Sequence, residues 1–113
     1  MDPREAMKKR MEARRAVQEF FESRRKMLKV GPFWDFSAEN RFKRDFLARM
    51  NAIARDLEHK AMKMADEGRE WTSVLEEAKE KLEKLKEEFL KELGEGTPWE
   101  GKFASLRELI KSL

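Results

Sequence analysis

His59 is the only histidine in a chain of 113 residues. It is the one side chain here that titrates near neutrality when unperturbed. Such a group can hold a haem iron axially or act as a general base. Helical spacing puts it roughly 160° from Leu57, on the polar edge of its helix with Ala48, Ala52, Arg55, Met62 and Asp66. The alanines leave room for a flat ring, but Arg55 and Lys63, four residues to either side, oppose it. The plainer expectation is a surface histidine near Asp66 or Arg55. A second candidate is Asp35, a carboxylate beside Trp34 that can in principle deprotonate a flat apolar substrate. These two residues leave open whether the chain is an enzyme.

Other chemistry is excluded by composition. There is no cysteine, so disulfides, thiolate catalysis and Cys-based zinc sites are out. There is no tyrosine, and one histidine cannot make a multi-histidine metal site, so no metal is expected. No phosphate-cradling glycine loop, Glu-x-x-His pair or nucleophile elbow occurs. Glu58 directly precedes His59, so the two point to different faces. No apolar run approaches the ~20 residues that span a bilayer, and the N-terminus has no apolar signal core. The expectation is a soluble, cytoplasmic or recombinant protein without membrane contact.

The elements that must position these residues are helical. Charged residues make up 43% and apolar ones 40%, which at helical spacing gives dry stripes on charged rods. Asp2-Pro3 opens a first helix that runs to about Val30 and stops at Gly31-Pro32. A second runs from about Ser37 to Asp66, capped by Asp35 or Ser37. Its apolar residues cover over half its circumference, so it belongs between neighbours. A third follows the turn Glu67-Gly68-Arg69-Glu70 and ends near Leu93, with a narrow stripe of Trp71, Leu75, Ala78, Leu82, Leu85 and Phe89. Gly94 to Gly101 ends it, and a short fourth helix of roughly 20 Å has Trp99, Phe103, Leu106, Leu109, Ile110 and Leu113 as its apolar set. Short links make this one all-α domain over residues 1–113, an up-down-up-down four-helix bundle with a short fourth helix. The aromatic link Gly31-Pro32-Phe33-Trp34-Asp35-Phe36 reads as a hydrophobic plug closing one end, with Thr97-Pro98-Trp99-Glu100 as its companion. The rival reading is the wall of a ligand site.

A short fourth helix leaves half the bundle with three helices. Met7, Arg10, Met11 and Arg14 of the first helix should line that half. So should Leu57, Ala61, Met64 and Ala65 of the second, and Trp71, Leu75 and Ala78 of the third. Adaptable methionines with two arginines at the edge suit a small apolar or anionic ligand, a partner helix or a second copy of the chain. Arg24, in the closed half, should meet an acid such as Asp35 or Glu108. Residues 1–30 carry ten Lys/Arg against five Asp/Glu. No base-stacking aromatics interleave with them, so a solvated basic helix is expected rather than a nucleic-acid surface.

Several stretches resemble computationally designed helical bundles. They are Asp2-Pro3-Arg4-Glu5-Ala6 and the run Leu75-Glu76-Glu77-Ala78-Lys79-Glu80-Lys81-Leu82-Glu83-Lys84-Leu85. The lack of cysteine and the single histidine fit the same picture, and no natural family is matched. The aromatic link and the seam of methionines and arginines depart from ideal design, and such departures are where a site would be built. The expectation is a binding module using the half-open groove. The alternatives are a haem or proton-transfer protein using His59 or Asp35, and a structural, self-associating bundle. Only the haem reading requires a cofactor.

Overall fold

The computed structural model describes residues 2–113, which form four helices and, among the described residues, no strand. These are α1 (Pro3–Leu28), α2 (Ala38–Asp66), α3 (Ser73–Glu92) and α4 (Ala104–Ser112). The Asp2 carboxylate accepts the Arg4 N–H at 3.1 Å, with Pro3 at the first helical position. α1 ends at Lys29, which adopts the left-handed conformation (φ 49°) usual for a helix stop. Ser37, not Asp35, caps α2, its hydroxyl accepting the Asn40 N–H at 3.3 Å.

α2 is the axis of an up-down-up-down bundle. Phe46, Met50, Ala54, Leu57, Ala61, Met64 and Ala65 recur every three or four residues and are buried. α1 packs along one edge, where Arg14 Nε lies 3.5 Å from Glu58 and Arg25 Nε donates to Asn51 at 2.7 Å. α3 packs along the other, where Lys60 Nζ meets Glu77 at 2.7 Å and Arg49 meets Glu92 at 3.0 Å. In each pair the numbering runs in opposite directions, so neighbours are antiparallel.

The two ends of the bundle are filled differently. At the end where α2 turns into α3, Ala13, Val17, Ala61, Ala65, Val74 and Ala78 are buried. Small side chains let three helices close on one another there. At the opposite end the core is aromatic. The Phe42 ring meets Phe89, Trp99 and Phe103 edge-on, with centroids 5.1–5.9 Å apart, and Phe46 meets Phe89 at 5.3 Å. Edge-to-face rings each add roughly 0.5–1.5 kcal/mol beyond area burial.

Three expectations are corrected at this aromatic end. The fourth helix is the nine residues Ala104–Ser112, shorter than the expected length of roughly 20 Å, and Trp99 and Phe103 lie outside it. Residues 94–103 instead make successive turns, with Gly101 and Phe103 both at positive φ (74° and 55°), which a helix cannot contain. Trp99 is a plug, as expected, but the first aromatic link is not. Phe33, Trp34 and Phe36 are 78%, 66% and 74% exposed. Arg24 meets no acid among the described residues. Its guanidinium donates to the Phe20 carbonyl at 2.9 Å and lies 4.0 Å over the Phe20 ring, so its charge is absorbed locally.

Candidate functional site

The residues expected to line a half-open groove do not share one surface. Leu57, Ala61, Met64, Ala65 and Ala78 are core residues of the three-helix end. Met7 and Met11 are exposed on α1. Arg10 Nε lies 3.6 Å from the Asp66 carboxylate and is buried without a hydrogen-bond partner, while Arg14 pairs with Glu58. Both arginines brace the α1–α2 seam. Trp71 is half-buried in the turn before α3, on a concavity of about 380 Å³ shared with Lys9, Glu12 and Arg69. Leu75 lies elsewhere. With Ala16, Phe20, Ser73, Glu76 and Lys79 it lines an open groove of about 530 Å³ between α1 and α3. α4 packs over α1 and α3, and this groove occupies the same corner beyond its last residue.

His59 is exposed on the outer side of α2 and lines none of these concavities. Asp66, its expected neighbour, is engaged by Arg10. Among the described residues no cluster of His, Cys, Asp or Glu is arranged to hold a metal ion. Asp35 is tied down. The Ser37 N–H donates to its carboxylate at 3.0 Å, and this hydrogen bond, with the nearby Arg44 and Lys43 charges, holds its pKa below the usual carboxylate range. A carboxylate stabilised in its charged form is a weaker proton acceptor.

The most distinctive surface is the aromatic link between α1 and α2, exposed rather than packed as a plug. It is built rather than loose. Asn40, in the first turn of α2, is buried and spans the link. Its Oδ1 accepts the Gly31 N–H at 2.6 Å, and its Nδ2 donates to the Asp35 carbonyl at 3.0 Å. Asn40 Oδ1 would lie only 2.9 Å from a Cβ at position 31, so glycine is required there by close approach. The Asp35 N–H donates to the Pro32 carbonyl at 2.9 Å, closing a turn across Phe33 and Trp34. The Arg44 guanidinium also donates to that carbonyl, and Lys43 Nζ reaches the Lys29 carbonyl at 3.5 Å.

With the backbone held from below, the rings have nowhere to pack. Phe33 and Trp34 lie edge to face, 5.1 Å apart at 82°, and Phe36 projects separately. Together they show on the order of 400 Å² of aromatic surface to water. Summed over four consecutive positions, this is comparable to the largest apolar patch of a typical monomer. Lys43 and Arg44 stand at the base, Lys26 and Lys29 lie at the end of α1 and Arg41 in the first turns of α2, where it lines a concavity with Phe42, Asp45 and Trp99; none of the five forms an ion pair among the described residues.

No protein-family model matches the chain, and no curated protein or solved structure is similar to it. This is consistent with a chain outside the natural families and with the design-like regularity of α3.

Proposed function

We propose that this protein is a binding module whose contact surface is the aromatic link at the end of the α1–α2 hairpin. The observation that carries the reading is the exposure of Phe33, Trp34 and Phe36 on a backbone fixed by Asn40. Exposed aromatics on a mobile loop collapse onto the nearest apolar surface. Here the fixed backbone holds them out, and a partner meets rings already in place, with little ordering entropy left to lose. Trp and Phe are also side chains that anchor interfaces, through large area and few rotatable bonds.

A second reading is the α1–α3 groove as the seat of a partner helix, supported by its apolar floor of Ala16, Phe20 and Leu75. One experiment separates the two. A photo-crosslinking phenylalanine analogue at position 34 should yield adducts in cells, and the same analogue at position 75 should yield few. The reverse pattern transfers the function to the groove. Stability gives an independent check: Phe33→Ser, Trp34→Ser and Phe36→Ser together should change unfolding free energy by less than about 1 kcal/mol. A loss of several kcal/mol would make the rings structural and overturn the reading.

A further inference from the structure

We infer that the aromatic link docks on an anionic lipid surface, with Phe33, Trp34 and Phe36 entering the headgroup region and the cations at their base meeting lipid phosphates. This rests on reading the link as the contact surface.

Two observations point to a bilayer. The first is charge. Residues 24–45 carry seven Lys/Arg against three Asp/Glu, a net +4 in a chain whose total is +3. The α3–α4 link, at the same end of the bundle, carries Glu95 and Glu100 against Lys102. At this end of the bundle the excess of positive charge is therefore on the hairpin side, since residues 94–113 balance at three Lys/Arg against three Glu, and that side would lead the approach to a negative surface. A second copy presenting the same +4 patch would be repelled. The second observation is layering. Apolar rings form the tip, and behind them Arg44 is fixed to the Pro32 carbonyl of the link and Lys43 to the Lys29 carbonyl that ends α1, with Lys26, Lys29 and Arg41 on the flanking helix turns. Apolar tip above cationic collar is the order in which a membrane interface offers acyl chains and then phosphates. Asp35 is the one acid among the rings and opposes insertion by itself; its carboxylate accepts the Ser37 N–H, and the nearby Arg44 and Lys43 charges offset it. Among the described residues no helix is long and apolar enough to cross a membrane. The lack of a spanning run or an apolar signal core bears on crossing a bilayer and on export, not on docking at its surface. A surface-docking link needs no span.

The test is flotation of the intact protein with phosphatidylcholine vesicles, with and without phosphatidylserine, followed by tryptophan emission. Binding should appear only with phosphatidylserine, weaken at least tenfold on raising salt, and shift Trp34 emission to the blue. Trp34→Phe should keep binding and lose the emission shift. Phe33→Ser with Trp34→Ser should weaken binding at least tenfold. Lys26→Gln with Arg41→Gln should weaken it several-fold while circular dichroism stays unchanged, since neither side chain is bonded within the bundle. No binding to phosphatidylserine vesicles, or equal binding to uncharged ones, overturns the inference. So does a serine variant that binds as well as the parent. If vesicles fail while the position-34 crosslinker still captures a discrete protein, the lipid inference falls, and the link remains a contact surface whose acceptor is a protein. If neither binds, both readings fall.

Discussion

Replacing Asn40 with alanine removes two hydrogen bonds from the link at once and leaves the Gly31 N–H and the Asp35 carbonyl without partners. Unsatisfied groups near a buried position cost roughly 1–3 kcal/mol. The expected loss is about 2 kcal/mol, or a fall in Tm of about 8 °C for a domain of this size. The rings would also lose their fixed presentation, so quenching of Trp34 by a soluble quencher should change. A Tm shift below about 2 °C would show that Arg44 and Lys43 hold the link without Asn40. Asn40 also explains a misreading. Gly31, Pro32 and the three aromatics were plain in the sequence, and burial is the usual fate of such a cluster. The residue that reverses that fate lies nine positions after Gly31, and side-chain-to-backbone bonds across that gap leave no periodic signal. The spacing Gly31, Asp35, Ser37, Asn40, Arg44 is visible only once the turn is known. The placing of His59 on a polar edge, by contrast, followed from helical angle alone and agrees with its exposure.

Element by element, the four helices and their order were legible because hydrophobic period and Pro/Gly punctuation agree. What rod lengths could not show was how closely the three long helices approach one another. The sequence placed Ala61, Ala65 and Ala78 around a vacancy. In the structure these small residues close it, since an alanine seam draws helix axes together until nothing larger fits. What stays open is the α1–α3 corner beyond α4, where Phe20 and Leu75 stand with Lys79 and Glu76. These two arrangements respond oppositely to added volume. Ala61→Leu should destabilise the bundle by about 2 kcal/mol through overpacking. In a vacant groove the same change would be neutral or stabilising, so a denaturant midpoint at or above the parent's would restore the vacancy. α4 was mis-bounded for a local reason. Trp99 and Phe103 have helical spacing, but Gly101 between them and Phe103 itself take left-handed backbone, so the spacing serves a packed turn.

As a whole molecule the protein is a flattened rod, 56 × 28 × 17 Å, with a radius of gyration of 16.9 Å. A compact domain of this length would have about 13 Å. α2 alone accounts for about 43 Å of the long axis, and the exposed aromatic link joins its start to α1 at one end. A rod with one apolar tip invites tip-to-tip pairing into a dimer, in which two link patches would bury roughly 800 Å² in all, below what stable interfaces use. Charge opposes that pairing further, because each tip brings its own net +4. At about 0.15 M salt the Debye length is near 8 Å, so patches in contact still repel one another. Sedimentation at micromolar concentration should therefore give a single species of 13.5 kDa, and X-ray scattering a radius near 17 Å. At about 1 M salt screening shortens to about 3 Å, and association through the rings should become measurable and disappear in the Phe33→Ser, Trp34→Ser variant. A dimer already present at low salt and untouched by that variant would mean that the bundle pairs through another face, the α1–α3 corner foremost, and that the charge collar does not set its oligomeric state.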